Sequence, residues 1–287
     1  MREPVRGLVD DIERLGALDG VSRVIAAGVG RATRPDAVKN ALSGTWLGHQ
    51  LHPMLTDLPI GAWTMASFLD MTAGRAGAGP ARRLVGLGLL ATLPAAAAGA
   101  SDWSDTYGAP QRVGLVHALA NVTAALLQAT SWAARRRGRR LTGAALSGAG
   151  LGVTVCAGYL GGHLSLVRGI GVSHTAFEPE VTEWTDVADS ASLADGTPVR
   201  VTAGGVPVVL VRHADTVHAL SATCVHAGGP LDEGTVVRDG CVRCPWHGST
   251  FRLADGTVVR GPAAVDQPSW EVKVEDGRVR VRSRGSG

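Results

Sequence analysis

Four long apolar stretches lie between residues 54 and 163, and they limit what this chain can become. The first runs from Leu55 to Ala73 and is interrupted by Asp57 and Asp70. The second, Leu84 to Ala100, holds no charge. The third, Val113 to Ala134, carries only His117 as a titratable group, and the fourth, Leu141 to Gly162, carries no Asp, Glu, Lys, Arg or His. An apolar helix of about 20 residues crosses the hydrocarbon core of a bilayer. A set of buried soluble helices is the competing interpretation. Four such stretches in succession, joined by short polar loops, favour a four-helix transmembrane domain over residues 51–163. Gly and Ala suit close helix packing in lipid, and Gly148-x-x-x-Gly152 marks one candidate contact. Pro59 and Pro94 are expected to kink their helices, which neighbouring helices accommodate.

The flanking regions differ in kind. Within residues 1–50, Leu8, Ile12 and Leu15 recur at helical spacing among Asp10, Asp11, Glu13 and Arg14. This N-terminal segment is expected to form amphipathic helices on the membrane or on the rest of the protein. Met1–Gly20 lacks the apolar core of a secretory signal. Residues 164–180, broken by Gly169, Gly171 and Pro179, form a linker. Residues 181–287 are ordinary in hydropathy and predict short strands at 199–202, 206–211, 217–221, 258–260, 270–274 and 279–281. Asp195-Gly196, Asp255-Gly256 and Asp276-Gly277 supply turn signals. The fold class is therefore α + β in two domains: a four-helix transmembrane bundle, then an all-β domain.

The β domain carries the chemistry. Cys224-Val225-His226 and Cys244-Pro245-Trp246-His247 each offer one thiolate and one imidazole. Two Cys and two His in mixed pairs suit a two-iron cluster in which one iron takes both thiolates and the other both imidazoles. Zinc modules usually pair Cys with Cys and His with His along the chain, and here they alternate. Cys241 makes a Cys-x-x-Cys with Cys244, which suggests thiol redox work, but it falls in the alternation Val236, Val237, Cys241, Val242 and is read as a strand residue. Cys156, in an apolar helix, is read as a small buried hydrophobe.

The run Cys-x-His-x-Gly-Gly-x-Leu followed by Cys-Pro-Trp-His-Gly-Ser-x-Phe resembles a Rieske [2Fe–2S] domain of ferredoxin type, over about residues 181–284. Respiratory-complex members carry an extra, disulfide-bonded Cys in each loop; here those positions hold Gly229 and Trp246. The resemblance implies a [2Fe–2S] cluster, with Cys224 and Cys244 on one iron and His226 and His247 on the other. It also implies a Ser249 hydroxyl bonded to a cluster sulfur, and a cover over the second loop from Gly261-Pro262.

Histidines also punctuate the apolar region. His52 precedes the first stretch, His117 lies early in the third and His163 ends the fourth. Parity of four spans puts all three on one membrane side with everything after the fourth span. Titratable groups near membrane depth are costly and often functional, so His52, His117 and His163 are candidates for a haem b or another metal. Ordinary hydrogen bonding to carbonyls or headgroups is the bland alternative. Residues 40–175 resemble an uncharacterised bacterial membrane domain found fused to Rieske domains, which supports the architecture and not an activity.

The net charge is only +3. The densest basic run, Arg135 to Arg140, sits in a short loop between two spans, where topogenic and anionic-lipid contact outweighs a nucleic-acid role. The positive-inside rule puts this loop and the one holding Arg75, Arg82 and Arg83 in the cytoplasm. The expected location is a bacterial cell membrane, crossed several times, with the Rieske domain outside. The expected function is single-electron transfer between a redox partner protein (a reductase, cytochrome or oxygenase) and a membrane centre or quinone pool. The alternatives are a component of a membrane oxygenase or oxidoreductase system and a membrane redox sensor.

Overall fold

The computed structural model describes residues 3–237 and 240–284. They divide into two compact units. One comprises residues 1–34 and 51–170, the other residues 35–50 and 171–287. The N-terminal segment expected over 1–50 is thus shared between both. The expected linker, 164–180, is divided too, at Ile170 and Gly171.

The first unit is helical. Helices α1 (Glu3–Arg14) and α2 (Asp19–Ala32) precede α4 (Leu51–Thr72), α5 (Ala78–Ser104), α6 (Ala109–Arg136) and α7 (Arg140–Gly162), with α3 (Asp36–Ser43) belonging to the other unit. Helices α4 to α7 pack as a ring, each against its sequence neighbours and α7 against α4. α1 packs on α6, and α2 on α5 and α6. Large apolar side chains point outward, including Leu87, Leu90, Leu93, Leu119, Leu126 and Val155. The interior holds small or polar ones: Ala66, Ala81, Ala98, Ala124, Ala157, Ser147 and Gln128. That inversion is what lipid demands, because tails solvate leucine as well as a core does and helix contact is left to small residues and interhelical hydrogen bonds.

Among the described residues, three helices are long and apolar enough to cross a membrane, spanning 78–103, 109–136 and 140–167. The fourth expected span, α4, is a continuous 22-residue helix that is not among these three, and Asp57 and Asp70 lie within it. Asp70 is buried against Arg135, donor to acceptor at 2.9 Å, and Arg140 donates to the Asp70 carbonyl at 3.0 Å. Pro59 and Pro94 lie inside α4 and α5, each of which runs on as a single element. The close helix contact expected at Gly148-x-x-x-Gly152 falls elsewhere. Nothing lies within 4 Å of a Cβ built on either glycine, whereas one on Gly150 would come within 3.0 Å of Gln128 Nε2. Gln128 donates to the Ser147 carbonyl at 3.1 Å and accepts the Ser147 hydroxyl at 2.9 Å, joining α6 to α7. Cys156 is exposed on α7, not buried, because the inside-out packing turns its face away from the helix partners.

The second unit is built from ten strands. They are β1 (Thr185–Asp189), β2 (Pro198–Ala203), β3 (Val206–His213), β4 (Thr216–Ser221), β5 (Thr235–Val237), β6 (Cys241–Arg243), β7 (Thr250–Arg252), β8 (Val258–Arg260), β9 (Ser269–Glu275) and β10 (Arg278–Ser283). A six-stranded antiparallel sheet runs β1-β10-β9-β4-β3-β2. A four-stranded antiparallel sheet runs β5-β6-β7-β8. The alternation through Val236, Val237, Cys241 and Val242 is two paired strands, with Val236 opposite Val242 and Val237 opposite Cys241. The core joining the sheets includes Val209, Leu220, Leu231, Val242, Phe251 and Ala263, with Cys224 and Cys244 at its edge. The site therefore sits on packed structure, not on free loops.

Candidate metal centre

Two loops present the four candidate ligands, and both are closed in the same way. The Cys224 N–H donates to the Gly229 carbonyl at 2.8 Å, and the Cys224 carbonyl accepts the Gly228 N–H at 2.9 Å. The Cys244 N–H donates to the Ser249 carbonyl at 2.8 Å, and the Cys244 carbonyl accepts the Gly248 N–H at 3.1 Å. In each case the residue four places after the Cys is a glycine with φ near +76°: Gly228 at 75° and Gly248 at 77°. A side chain rarely adopts that conformation, so the loop closure itself asks for glycine there. The first loop follows β4 and the second joins β6 to β7.

This closure brings the ligands together in like pairs. The Cys224 and Cys244 sulfurs share a hydrogen bond. The His226 and His247 rings stand 5.0 Å apart, centroid to centroid, at 82°. The backbone N–H groups of His226 and Ala227 face the Cys224 sulfur, and those of Trp246 and His247 face Cys244. Donors of this kind favour thiolates over thiols. The bond from Cys224, helped by the Trp246 and His247 amides, brings Cys244 down to about 7 against the pull of burial. The Cys244 sulfur and then burial push the Cys224 thiol up. Burial first, then the charges of His247, Lys39 and His174, hold the His226 imidazole down at about 3. A neutral imidazole is the form that binds a metal.

The residues present fit a binuclear cluster. Each iron of such a cluster takes only two protein ligands, because the bridging sulfides supply the rest. The loops offer two sulfurs side by side and two imidazoles side by side. A Cβ on Gly229 would come 2.9 Å from the Cys244 sulfur and 3.1 Å from the Trp246 ring, filling the space between the loops.

Further groups support the two loops, and of these Gln267 left no signal in the sequence. Gln267, 1% exposed, accepts the Val225 N–H at 3.0 Å and donates to the Ser221 and Thr223 carbonyls at 2.8 and 2.7 Å, fixing the first loop. The Ser249 hydroxyl oxygen is buried and accepts the Ala263 N–H at 3.0 Å, which ties the second loop to the Gly261-Pro262 segment. Pro245 and Trp246 are exposed, Trp246 at 55%, with Trp246 against the His247 ring at 6.4 Å. Cys241 is buried and paired across from Arg252 in the sheet.

The membrane-unit histidines are brought together only in part. The rings of His52 and His117 stand 6.5 Å apart at 87°. His52 Nδ1 donates to the Ala95 carbonyl at 2.9 Å, and His117 Nδ1 to that of Ala157 at 2.8 Å. The Asn121 amide donates to His117 Nε2 at 3.0 Å, which makes His117 the neutral Nδ1–H tautomer. A Cβ on Gly99 or Gly161 would come 2.6 Å from His52 or 3.1 Å from His117, so these glycines make room for the rings. His163 Nε2 is instead bonded to Glu13 at 2.8 Å. Glu13 also accepts from Arg168, whose guanidinium, with His163, holds the carboxyl below its usual range.

A β domain with a Cys and a His on each of two paired loops defines an iron–sulfur protein. The chain belongs to the Rieske [2Fe-2S] domain family, matched at residues 183–271, and this domain is fused to one matching the family described as predicted membrane protein (DUF2231) at residues 48–174. Ferredoxin CarAc of Metapseudomonas resinovorans is 33% identical over 99 residues, which are 34% of this chain and 92% of that protein. Apoptosis-inducing factor 3 of Homo sapiens is 31% identical over 121 residues, 42% of this chain, and the chain spans only 20% of that protein's length. Among solved structures, the ferredoxin of carbazole 1,9a-dioxygenase from Nocardioides aromaticivorans IC177 is 27% identical, with a TM-score of 0.35, covering 36% of this chain and all of that one.

Proposed function

We propose that this protein is a membrane-anchored carrier of single electrons. Cys224 and Cys244 would hold one iron of the cluster, and His226 and His247 the other. When bound, the cluster supplies reversible one-electron chemistry and makes or breaks no substrate bond. The protein's part is to fix four ligands, keep the His226 imidazole neutral, aim backbone N–H groups at the thiolates and shield the sulfur side in a packed core. The observation that carries the proposal is the shared closure of the two loops, which sets like ligands beside each other. The exposed Pro245-Trp246 edge, beside the half-buried His247, is the surface offered to a redox partner protein.

α4 would be a fourth span: 22 residues of helix reach about 33 Å, enough for a hydrocarbon core of about 30 Å, and Arg135 pairs with Asp70. Four spans would leave the Rieske domain on the side opposite the Arg-rich loops, outside the cytoplasm. Membrane lipid is then the first partner, and a quinone, a haem or a metal near His52 and His117 the candidate second centre. A mediated redox titration of the full chain in detergent tests the carrier role, with a single one-electron step expected in the visible spectrum. A two-electron dithiol couple would refute it. Alkaline phosphatase fused after Ser165 should be active; an inactive fusion at that point, with a cytoplasmic reporter active there, would refute the placement.

A further inference from the structure

Helix α3 (Asp36–Ser43) lies far before both cluster loops in sequence, yet it belongs to the same compact unit. Its contacts converge on the segment that covers the second loop. Asn40 Oδ1 accepts the Gly261 N–H at 2.9 Å, and Asn40 Nδ2 donates to the Val259 carbonyl at 3.0 Å. A Cβ on Gly261 would come 3.1 Å from the Ser43 hydroxyl, so the helix sits hard against that strand end. Arg260 Nε donates to Asp36 at 2.6 Å, and its Nη1 donates to the Gly248 carbonyl at 3.2 Å and the Gly261 carbonyl at 2.9 Å. Two residues further on, the Ala263 N–H donates to Ser249 Oγ. Ser249 in turn closes the loop through its carbonyl and the Cys244 N–H.

This makes a continuous path from a helix before the first span to a hydroxyl beside a candidate ligand. The Ala263 N–H occupies one lone pair of Ser249 Oγ, so the orientation left to the hydroxyl proton depends on where Ala263 is held. Hydrogen bonds to the sulfurs are among the factors that set an iron–sulfur potential. We infer that Asn40 is a positioning residue for the cluster, holding the 259–263 segment so that Ser249 is aimed at the cluster side of the second loop and keeps the reduction potential raised. The inference rests on the proposed ligation. It predicts that the N-terminal part of the chain, and not the β domain alone, determines the potential.

The test is a double-mutant cycle in the full-length protein, read by the midpoint potential and the EPR spectrum of the reduced cluster. Asn40→Ala and Ser249→Ala should each lower the potential, and the double variant should lie no lower than Ser249→Ala alone. A wild-type potential in a cluster-loaded Asn40→Ala variant would overturn the inference, and so would full additivity of the two shifts. A wild-type protein with no Rieske signal would overturn the proposed ligation itself, a result separable from the other two. Hydrogen–deuterium exchange of the 259–263 segment in cluster-free protein gives a reading that needs no iron. It should rise in Asn40→Ala, and unchanged protection would overturn the inference.

Discussion

Replacing Gln267 by Met keeps the side chain's length and removes its polar end, which makes it a direct probe of how the first loop is held. Gln267 is 1% exposed and serves three backbone groups of the 221–225 segment. The Val225 N–H would be left buried with no acceptor in its place, at a cost of about 1–3 kcal/mol. The Ser221 and Thr223 carbonyls would each lose a donor, at somewhat less apiece because a carbonyl has two lone pairs. The sum is about 2–5 kcal/mol. Gln267→Ala adds a cavity and should cost about 1 kcal/mol more. Denaturant unfolding of the full chain, followed by near-UV circular dichroism, measures the loss, and iron per chain measures the site. Iron content should fall in both variants, because Val225 lies between Cys224 and His226. A Gln267→Met variant that loses less than about 0.5 kcal/mol and keeps full iron would refute the reasoning.

Other outcomes follow from the same geometry. Arg135→Met should destabilise the helical unit by about 3–5 kcal/mol by leaving Asp70 buried and unpaired, and Asp70→Leu added to it should recover much of that; thermal unfolding in detergent reads both. In cluster-free protein, the folded His226 imidazole refuses a proton down to about 3, whereas the unfolded chain takes one near 6.5. Stability should therefore be intact above pH 6.5 and fall below it by about 1.4 kcal/mol per pH unit, a slope that His226→Gln should flatten between pH 6.5 and 4.5. Gly88→Ala would set a Cβ 2.3 Å from the Trp63 ring, and it should lower the melting temperature, whereas Gly148→Ala, facing open space, should not.

The ligand loops were legible in the sequence because their chemistry is local. A Cys, a His and a left-handed glycine must fall within a few residues to close each loop, and that spacing survives as a motif. The longer strands were legible for a similar reason: alternating valines between Asp-Gly turns mark β2, β3, β9 and β10. Strand β7 was not, since three residues between Gly248 and the Asp255-Gly256 turn carry no period. Gln267 and Asn40 left no signal either, because their partners lie 42 to 221 positions away and nothing in a single sequence pairs an amide with a distant backbone. The helical unit shows the same limit. Apolar length indicated helices, but which glycines meet a neighbour depends on helix rotation, and so Gly150 makes the contact read at Gly148 and Gly152. His163 illustrates it again: membrane parity placed it with His52 and His117, while a carboxylate on α1 determined its actual bond.

The central claim is that two thiolates and two imidazoles on paired loops hold a two-iron cluster. Chemical analysis of the purified full-length protein, together with its EPR spectrum after dithionite, tests it most directly, with Cys244→Ser as the control. Two irons and two acid-labile sulfides per chain are expected, with a Rieske-type signal on reduction, and both should be lost in the variant while the protein still inserts into membranes. One zinc per chain, no labile sulfide and no signal would contradict it.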